Sequence, residues 1–221
     1  MTKSLQKQAS SVQVSSIGIK TSPRGYKGAI RRDYISWSAL NLLEKDEEGY
    51  INRYLNGQPG FSNEAMDFGK VVAEALQDEK SADPHIRYII TFLPRFDKPE
   101  LEITAKYKKR KLLGRPDSIM SSFKEFREYK TGKTSWTQAK VDSHGQLVFY
   151  ATIIFLLKKK IPTAYLDWIP TEYGEDGLKL TGDIKTFKRK PITLTDISQM
   201  LKRIERASER IDELWSKIKE R

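Results

Sequence analysis

The apolar positions of this chain change period along its length, and each change marks a predicted element. Residues 1–30 are polar, with Ser, Thr, Pro and Gly, and read as an arm outside the core, residues 12–19 being able to pair as an edge strand. Ser36 or Ser38 can cap a first helix that runs to about Leu55, where Asn56-Gly57-Gln58-Pro59-Gly60 ends it. Phe68, Val72, Ala75 and Leu76 recur at helical spacing, which predicts a second helix ahead of Ser81-Ala82-Asp83-Pro84, and 85–93 carries a weaker helical pattern. Strands are predicted at 100–107, 111–119 and 123–130, the last from its alternation. A helix follows at 137–159, then strands at 164–169 and 178–187 joined through 172–177. The last segment, 193–221, opens with Thr193 and Asp196 at a capping-box-like spacing and carries the helical stripe Ile197, Leu201, Ile204, Ile211, Leu214, Trp215 and Ile218.

Helices interleaved with strands in this order predict an α/β fold, a central mixed β-sheet flanked by helices. The organisation expected is an N-terminal arm (1–30), one domain (31–192) and an amphipathic C-terminal helix (193–221) packed back on it. That helix could instead form a dimerising coiled coil, but a short stripe of mixed spacing favours its own domain, so a monomer is expected over a homo-oligomer. The length of 221 residues suits a single domain with a substantial core. The longest apolar stretch, 149–157, is too short to span a membrane, and residues 1–16 hold no apolar signal region, so a cytoplasmic protein without membrane contact is expected. With no cysteine there is neither disulfide nor thiolate metal site.

The candidate chemistry lies between Gly114 and Tyr150. Asp117 closes the apolar run around Leu112-Leu113, and a turn near 121–124 folds the next strand back as a hairpin. That places Asp117 roughly opposite Glu128, near enough for the two carboxylates to share one cation. Glu128 and Lys130, two apart on a strand, point to one face. Two hard oxygen ligands beside an ammonium suit phosphodiester hydrolysis with Mg2+ or Mn2+, because such a cation keeps several waters, takes a phosphate oxygen on its open side and makes the nucleophile. Gln146 and Tyr150 fall one helical turn apart on one side of the following helix.

Three motifs in register, Gly114-Arg115-Pro116-Asp117, Glu128-Tyr129-Lys130 and Gln146 to Tyr150, resemble the PD-(D/E)XK nuclease superfamily and, within it, the RecB-type exonuclease-like branch. Thr131-Gly132-Lys133 and the stretch from Tyr34 to Leu40 also look like that branch, and the resemblance covers about residues 34–170. It implies a restriction-endonuclease-like core, Asp117 and Glu128 as metal ligands, Lys130 positioning the water, and Gln146 and Tyr150 holding the scissile strand or bracing the carboxylates. It implies a DNA nuclease, exonucleolytic by expectation, in DNA repair, recombination or phage replication, with a helicase or recombinase as possible partner. The iron–sulfur cluster of some relatives is excluded by the lack of cysteine. The chain departs from the branch where a metal-binding histidine is usual: Gly69-Lys70-Val71-Val72-Ala73 ends in alanine. Either Glu74, one residue on, is recruited as the third ligand by a helix rotation, or Asp117 and Glu128 hold the metal alone, or activity is lost. The last case would leave a nucleic-acid-binding module or a partner-docking subunit of the same fold.

Forty Lys and Arg against 29 Asp and Glu give a formal charge of +11, a field that attracts polyanions. The cations cluster at 106–111, 158–160 and 185–190, and although any single run reads more readily as solvated surface, their placement beside the acids favours a DNA partner. Trp136 could stack on a base or simply pack, His144 reads as a surface or DNA-side residue, and Glu102 as a solvated strand position. Gly132-Lys133-Thr134 is not a phosphate loop, since Arg127 stands where that loop needs glycine.

Overall fold

The computed structural model describes residues 32–59, 64–78, 80–81, 83–174 and 177–219. The expected N-terminal arm and its edge strand therefore lie outside the described residues, as does the side chain of Phe68.

A short strand, β1 (Tyr34–Ser36), runs directly into α1 (Trp37–Lys45), with the Ser36 hydroxyl accepting from the Ala39 N–H at 3.3 Å. The single helix expected to Leu55 is interrupted at Asp46, whose backbone leaves the helical region (φ −153°, ψ 88°). Its carboxylate accepts from the Gly49 N–H at 2.9 Å and starts α2 (Glu47–Tyr50), which continues as a π-helical turn through Ile51–Leu55. A short acidic side chain that can take a backbone N–H offers the chain an alternative to the helix ladder, and here that alternative prevails. Next come α3 (Glu64–Asp78) and α4 (Pro84–Phe92). The weak pattern at 85–93 is thus a true helix, capped by Asp83 and opened by Pro84, which needs no N–H there.

The strands divide between two sheets. In the first, β1 lies parallel to β4 (Arg110–Gly114), which pairs antiparallel with β3 (Ile103–Tyr107). In the second, β2 (Lys98–Pro99), β5 (Ser118–Ile119), β6 (Glu125–Gly132) and β7 (Thr163–Gly174) are neighbours in that order, and β7 also pairs β8 (Gly177–Leu180) and β9 (Lys185–Lys188). The strand expected at 111–119 is therefore split, β4 belonging to one sheet and β5 to the other. Pro116 has no N–H to offer a ladder and pushes Arg115 out of the helical region, so the chain crosses between sheets at Arg115-Pro116-Asp117. Similarly, the strand expected at 178–187 is two, each pairing a different part of β7.

β6 and β7 run parallel, Glu125 opposite Thr163 through Gly132 opposite Pro170, and the crossover between them holds α5 (Gln138–Asp142) and α6 (Gly145–Lys158). The helix expected at 137–159 thus breaks at Ser143-His144. α6 is apolar nearly all round and is buried from Leu147 to Ile154, packed on β3, β4 and the C-terminal helix α7 (Leu194–Lys219). Such a helix can exist only as the centre of a core. The opposite face of the larger sheet carries α3 and α4, where Val72, Ile89 and Leu93 meet Ile169. The result is the expected mixed α/β architecture with helices on both faces.

α7 opens with the reciprocal cap expected of Thr193 and Asp196, the Thr193 N–H donating to Asp196 Oδ2 at 2.8 Å and the Asp196 N–H to Thr193 Oγ1 at 3.2 Å. It packs on its own domain, Arg203 reaching Glu44 and Arg210 reaching Glu47 through paired bonds. Much of the basic run 106–111 is spent on this helix. Lys108 pairs with Glu205 at 2.9 Å, Lys109 with Asp212, and the buried Arg110 with both Asp212 and Ser208 Oγ, the latter at 2.9 Å. These pairs tie α7 to the β3–β4 hairpin.

Candidate active site

The break that separates β4 from β5 is what puts Asp117 in position. Ser118 stands opposite Arg127 and Ile119 opposite Phe126, so Asp117, the next residue back, stands opposite Glu128. Its Oδ2 accepts from the Tyr129 N–H at 2.5 Å, which ties the carboxylate to β6. Lys130, two residues along that strand, donates to Glu128 Oε1 at 2.6 Å and to Gln146 Oε1 at 3.0 Å. Gln146 Nε2 donates to the Tyr150 hydroxyl at 2.9 Å, and that hydroxyl donates to the Arg115 carbonyl at 3.1 Å. One run of donors therefore starts at the ammonium and ends on the loop that carries Asp117. The structure brings together Asp117, Glu128, Lys130, Gln146 and Tyr150.

Gly114 is required by this packing. A Cβ there would stand 2.8 Å from Tyr150 Cδ1 and 3.0 Å from Ile153 Cδ1, so the strand can approach α6 only without a side chain. The glycine of the first motif and the tyrosine of the third are thus in contact.

Electrostatically the site holds more negative charge than it can keep in water's absence. Burial, then the neighbouring Glu128, pushes the Asp117 carboxyl well above the usual carboxylate range. Burial also raises Glu128, partly offset by Lys130. Glu128 is 3 % exposed, and among the described residues no N–H or hydroxyl donor reaches its Oε2, the Asp117 carboxyl alone lying opposite in the ladder and within hydrogen-bond reach of this carboxyl. Lys130 is desolvated as well, yet the two carboxylates outweigh that penalty and keep its ammonium charged. A buried, unpartnered carboxylate oxygen beside a second carboxylate is costly unless something positive completes it. A hard divalent cation fits that donor set.

A cleft of about 530 Å3 opens beside Asp117, lined by Ala73 and Leu76 of α3, by Arg95, Phe96, Asp97, Pro99, Glu100 and Glu102, and by Arg115, Ser118 and Tyr129. Ala73, at the place where the resemblance expects histidine, faces this cleft. Glu74 does not line it and is exposed, and among the described residues no group of three or more His, Asp or Glu is placed to hold an ion directly. The structure therefore does not bring Glu74 to Asp117 and Glu128: one residue on a helix turns a side chain by about a hundred degrees, and α3 is not rotated to compensate.

The remaining candidates fall into place around the site. Glu102 pairs with Arg115 at 3.1 Å on the cleft rim. Trp136 and Trp37 set their ring edges against His144, at centroid distances of 5.0 and 6.4 Å. His144 is half-buried between them rather than a free surface residue; burial holds its imidazole down at about 4, and its Nε2 has no hydrogen-bond partner among the described residues. Glu100 on the cleft wall escaped the sequence reading, for it belongs to no motif and follows a two-residue strand, Lys98–Pro99, with no hydrophobic pattern to announce it.

Fold and site together describe a mixed α/β protein with two buried carboxylates and a lysine at a strand crossover. The crystal structure of the "Putative exonuclease" from Eubacterium rectale superposes with a TM-score of 0.56 over 82 % of this chain and 81 % of that one, at 12 % identity. The chain shares that nuclease-like α/β fold. The crystal structure of SSO0001 aligns more loosely, with a TM-score of 0.40 and 13 % identity over 83 % of this chain and 79 % of that one. No family model and no curated protein matches the sequence. Among the described residues no helix is long and apolar enough to cross a membrane.

Proposed function

We propose that this protein is a deoxyribonuclease of the RecB-type PD-(D/E)XK kind, dependent on Mg2+ or Mn2+ and acting from DNA ends. The observation that carries the reading is the unpartnered Oε2 of the buried Glu128 next to Asp117, with Lys130 on the other oxygen. Asp117 and Glu128 would hold the cation, which supplies a polarised water as nucleophile and neutralises charge on the phosphate. The chain's own groups do the rest. Lys130 has three N–H donors and spends two on Glu128 and Gln146, which leaves one for the attacking water or a phosphate oxygen. Gln146 and Tyr150 keep that donor aimed, because each is held by the next as far as the Arg115 carbonyl. Arg115 lies on the cleft rim, where its guanidinium can meet the strand's phosphates. Water adds to phosphorus, the bond to the leaving sugar oxygen breaks, and that oxygen takes up a proton.

The test is cleavage of end-labelled linear and closed-circular DNA with Mg2+, Mn2+ or EDTA. Degradation of the linear form only, lost with EDTA and reduced at least about 100-fold in Asp117→Asn and Lys130→Met, is expected. Cutting of the circle would replace the end-dependent reading with an endonuclease. Salt-sensitive DNA binding without cleavage would make Ala73 decisive and the protein a binding module of this fold.

A further inference from the structure

The turn that follows β2 brings a further carboxylate to the wall of the Asp117 cleft. Lys98 stands opposite Ile119 and Pro99 opposite Ser118, where that ladder ends, and the N–H of the next residue, Glu100, donates to the Asp117 carbonyl at 3.0 Å. On the other side of β5 the register continues from Ser118 and Arg127 to Asp117 and Glu128. Glu100 is exposed and lines the same cleft as Asp117. Its backbone sits at φ 44°, a left-handed conformation that glycine or asparagine would occupy more cheaply. Inward of Asp117 lies the 3 % exposed Glu128, whose Oε2 meets no N–H or O–H donor group among the described residues.

We propose that Glu100 is the third acid of this centre, taking the part expected of Glu74 by holding a water of the bound cation from the cleft side. The proposal rests on the metal-dependent reading above. Action through water rather than by direct ligation follows from two facts. The described residues hold no set of three acids or histidines placed around one point, and a hard divalent cation such as Mg2+ retains several of its waters. Carboxylates of this outer kind orient the inner ligands and tune affinity by about 10–100-fold. Glu74 does not line the cleft that Glu100 and Asp117 share.

The experiment is Mn2+ titration of the full-length protein without DNA, by calorimetry and by the electron paramagnetic resonance of free Mn2+. The set is wild type, Glu100→Gln, Glu100→Gly, Glu74→Gln and Asp117→Asn, with melting temperatures of the metal-free forms. Both Glu100 variants should bind Mn2+ about 10-fold or more weakly. Glu100→Gly, which is at ease at positive φ, should melt no lower than wild type, so that its loss of affinity is not a loss of fold. Glu74→Gln should bind as wild type does. Wild-type affinity in both Glu100 variants, with Asp117→Asn unable to bind, would overturn the role of Glu100 and leave the metal centre standing. Loss of affinity in Glu74→Gln would return the third-acid role to the helix. A wild-type protein that binds no Mn2+ would overturn both this proposal and the reading beneath it.

Discussion

Replacing Gly114 with alanine tests whether the first and third motifs are mechanically one unit. The added Cβ would meet Tyr150 Cδ1 at 2.8 Å, Ile153 Cδ1 at 3.0 Å and Tyr150 Cε1 at 3.1 Å. Neither partner can yield freely, since Tyr150 is 6 % exposed and Ile153 fully buried, both on the all-apolar α6. Overpacking of this kind costs about 1–3 kcal/mol. For a chain of this length each kcal/mol lowers the melting temperature by roughly 2–4 °C, so a fall of about 4–8 °C is expected for a central cost of about 2 kcal/mol. Part of the strain should be relieved by displacing the Tyr150 ring, which carries its hydroxyl away from Gln146 and the Arg115 carbonyl and loosens Lys130. The proposed nuclease activity should then fall about 10-fold or more, a misplacement effect well within the range known for positioning groups. The assay is thermal and urea unfolding of Gly114→Ala, Tyr150→Ala and the double variant, with cleavage rates in parallel. In the Tyr150→Ala background the Gly114→Ala cost should drop by more than half, a coupling of about 1 kcal/mol. An unchanged melting temperature, or an equal cost in both backgrounds, would refute the contact between the motifs.

Two further outcomes are expected. His144 titrates near 4 in the folded protein because it is buried between two tryptophans, against about 6.5 unfolded, so the unfolded chain takes up the proton first as pH falls and stability drops between about pH 6.5 and 4. The full shift corresponds to about 3 kcal/mol and, with a partly accessible ring, about 1–2 kcal/mol is expected. Asp117, raised by burial, changes stability in the opposite sense over acid pH, so urea unfolding at pH 7 and 5 is compared between wild type and His144→Gln; equal pH dependence in the two would sink this account. Arg110→Met removes the buried guanidinium from Ser208 and from Asp212, which keeps Lys109, and should cost about 1–3 kcal/mol for the lost hydrogen bonds, loosening α7 from the β3–β4 hairpin, which hydrogen exchange along α7 would show. Unaltered exchange there would refute the clamp.

The site was legible because its residues lie on regular elements whose periods can be counted. Glu128 and Lys130 share a strand face at a spacing of two, and Gln146 and Tyr150 share a helix side at a spacing of four, so their meeting needs only that α6 cover β6. The apolar run into Asp117 predicts a continuous strand, whereas Pro116, with no N–H for a ladder, breaks that strand there. The break at Asp46 was of the same kind, a capping residue inside a helical pattern whose side chain outcompeted the ladder. The ion pairs of the basic run 106–111 leave no mark in the sequence, because its partners Glu205 and Asp212 are about a hundred residues away and no local pattern pairs them.

By itself the sequence determined the α/β class, the two-carboxylate and lysine constellation, and the amphipathic helix that closes the chain, because each follows from local periodicity and short spacing. Only the tertiary structure decided that the chain changes sheets at Asp117, that Ala73 and not Glu74 faces the cleft, and that Glu100 lines it beside Asp117. Those outcomes depend on helix rotation and on the register of short strands. Both are set by packing against distant residues, and neither leaves a period in the chain.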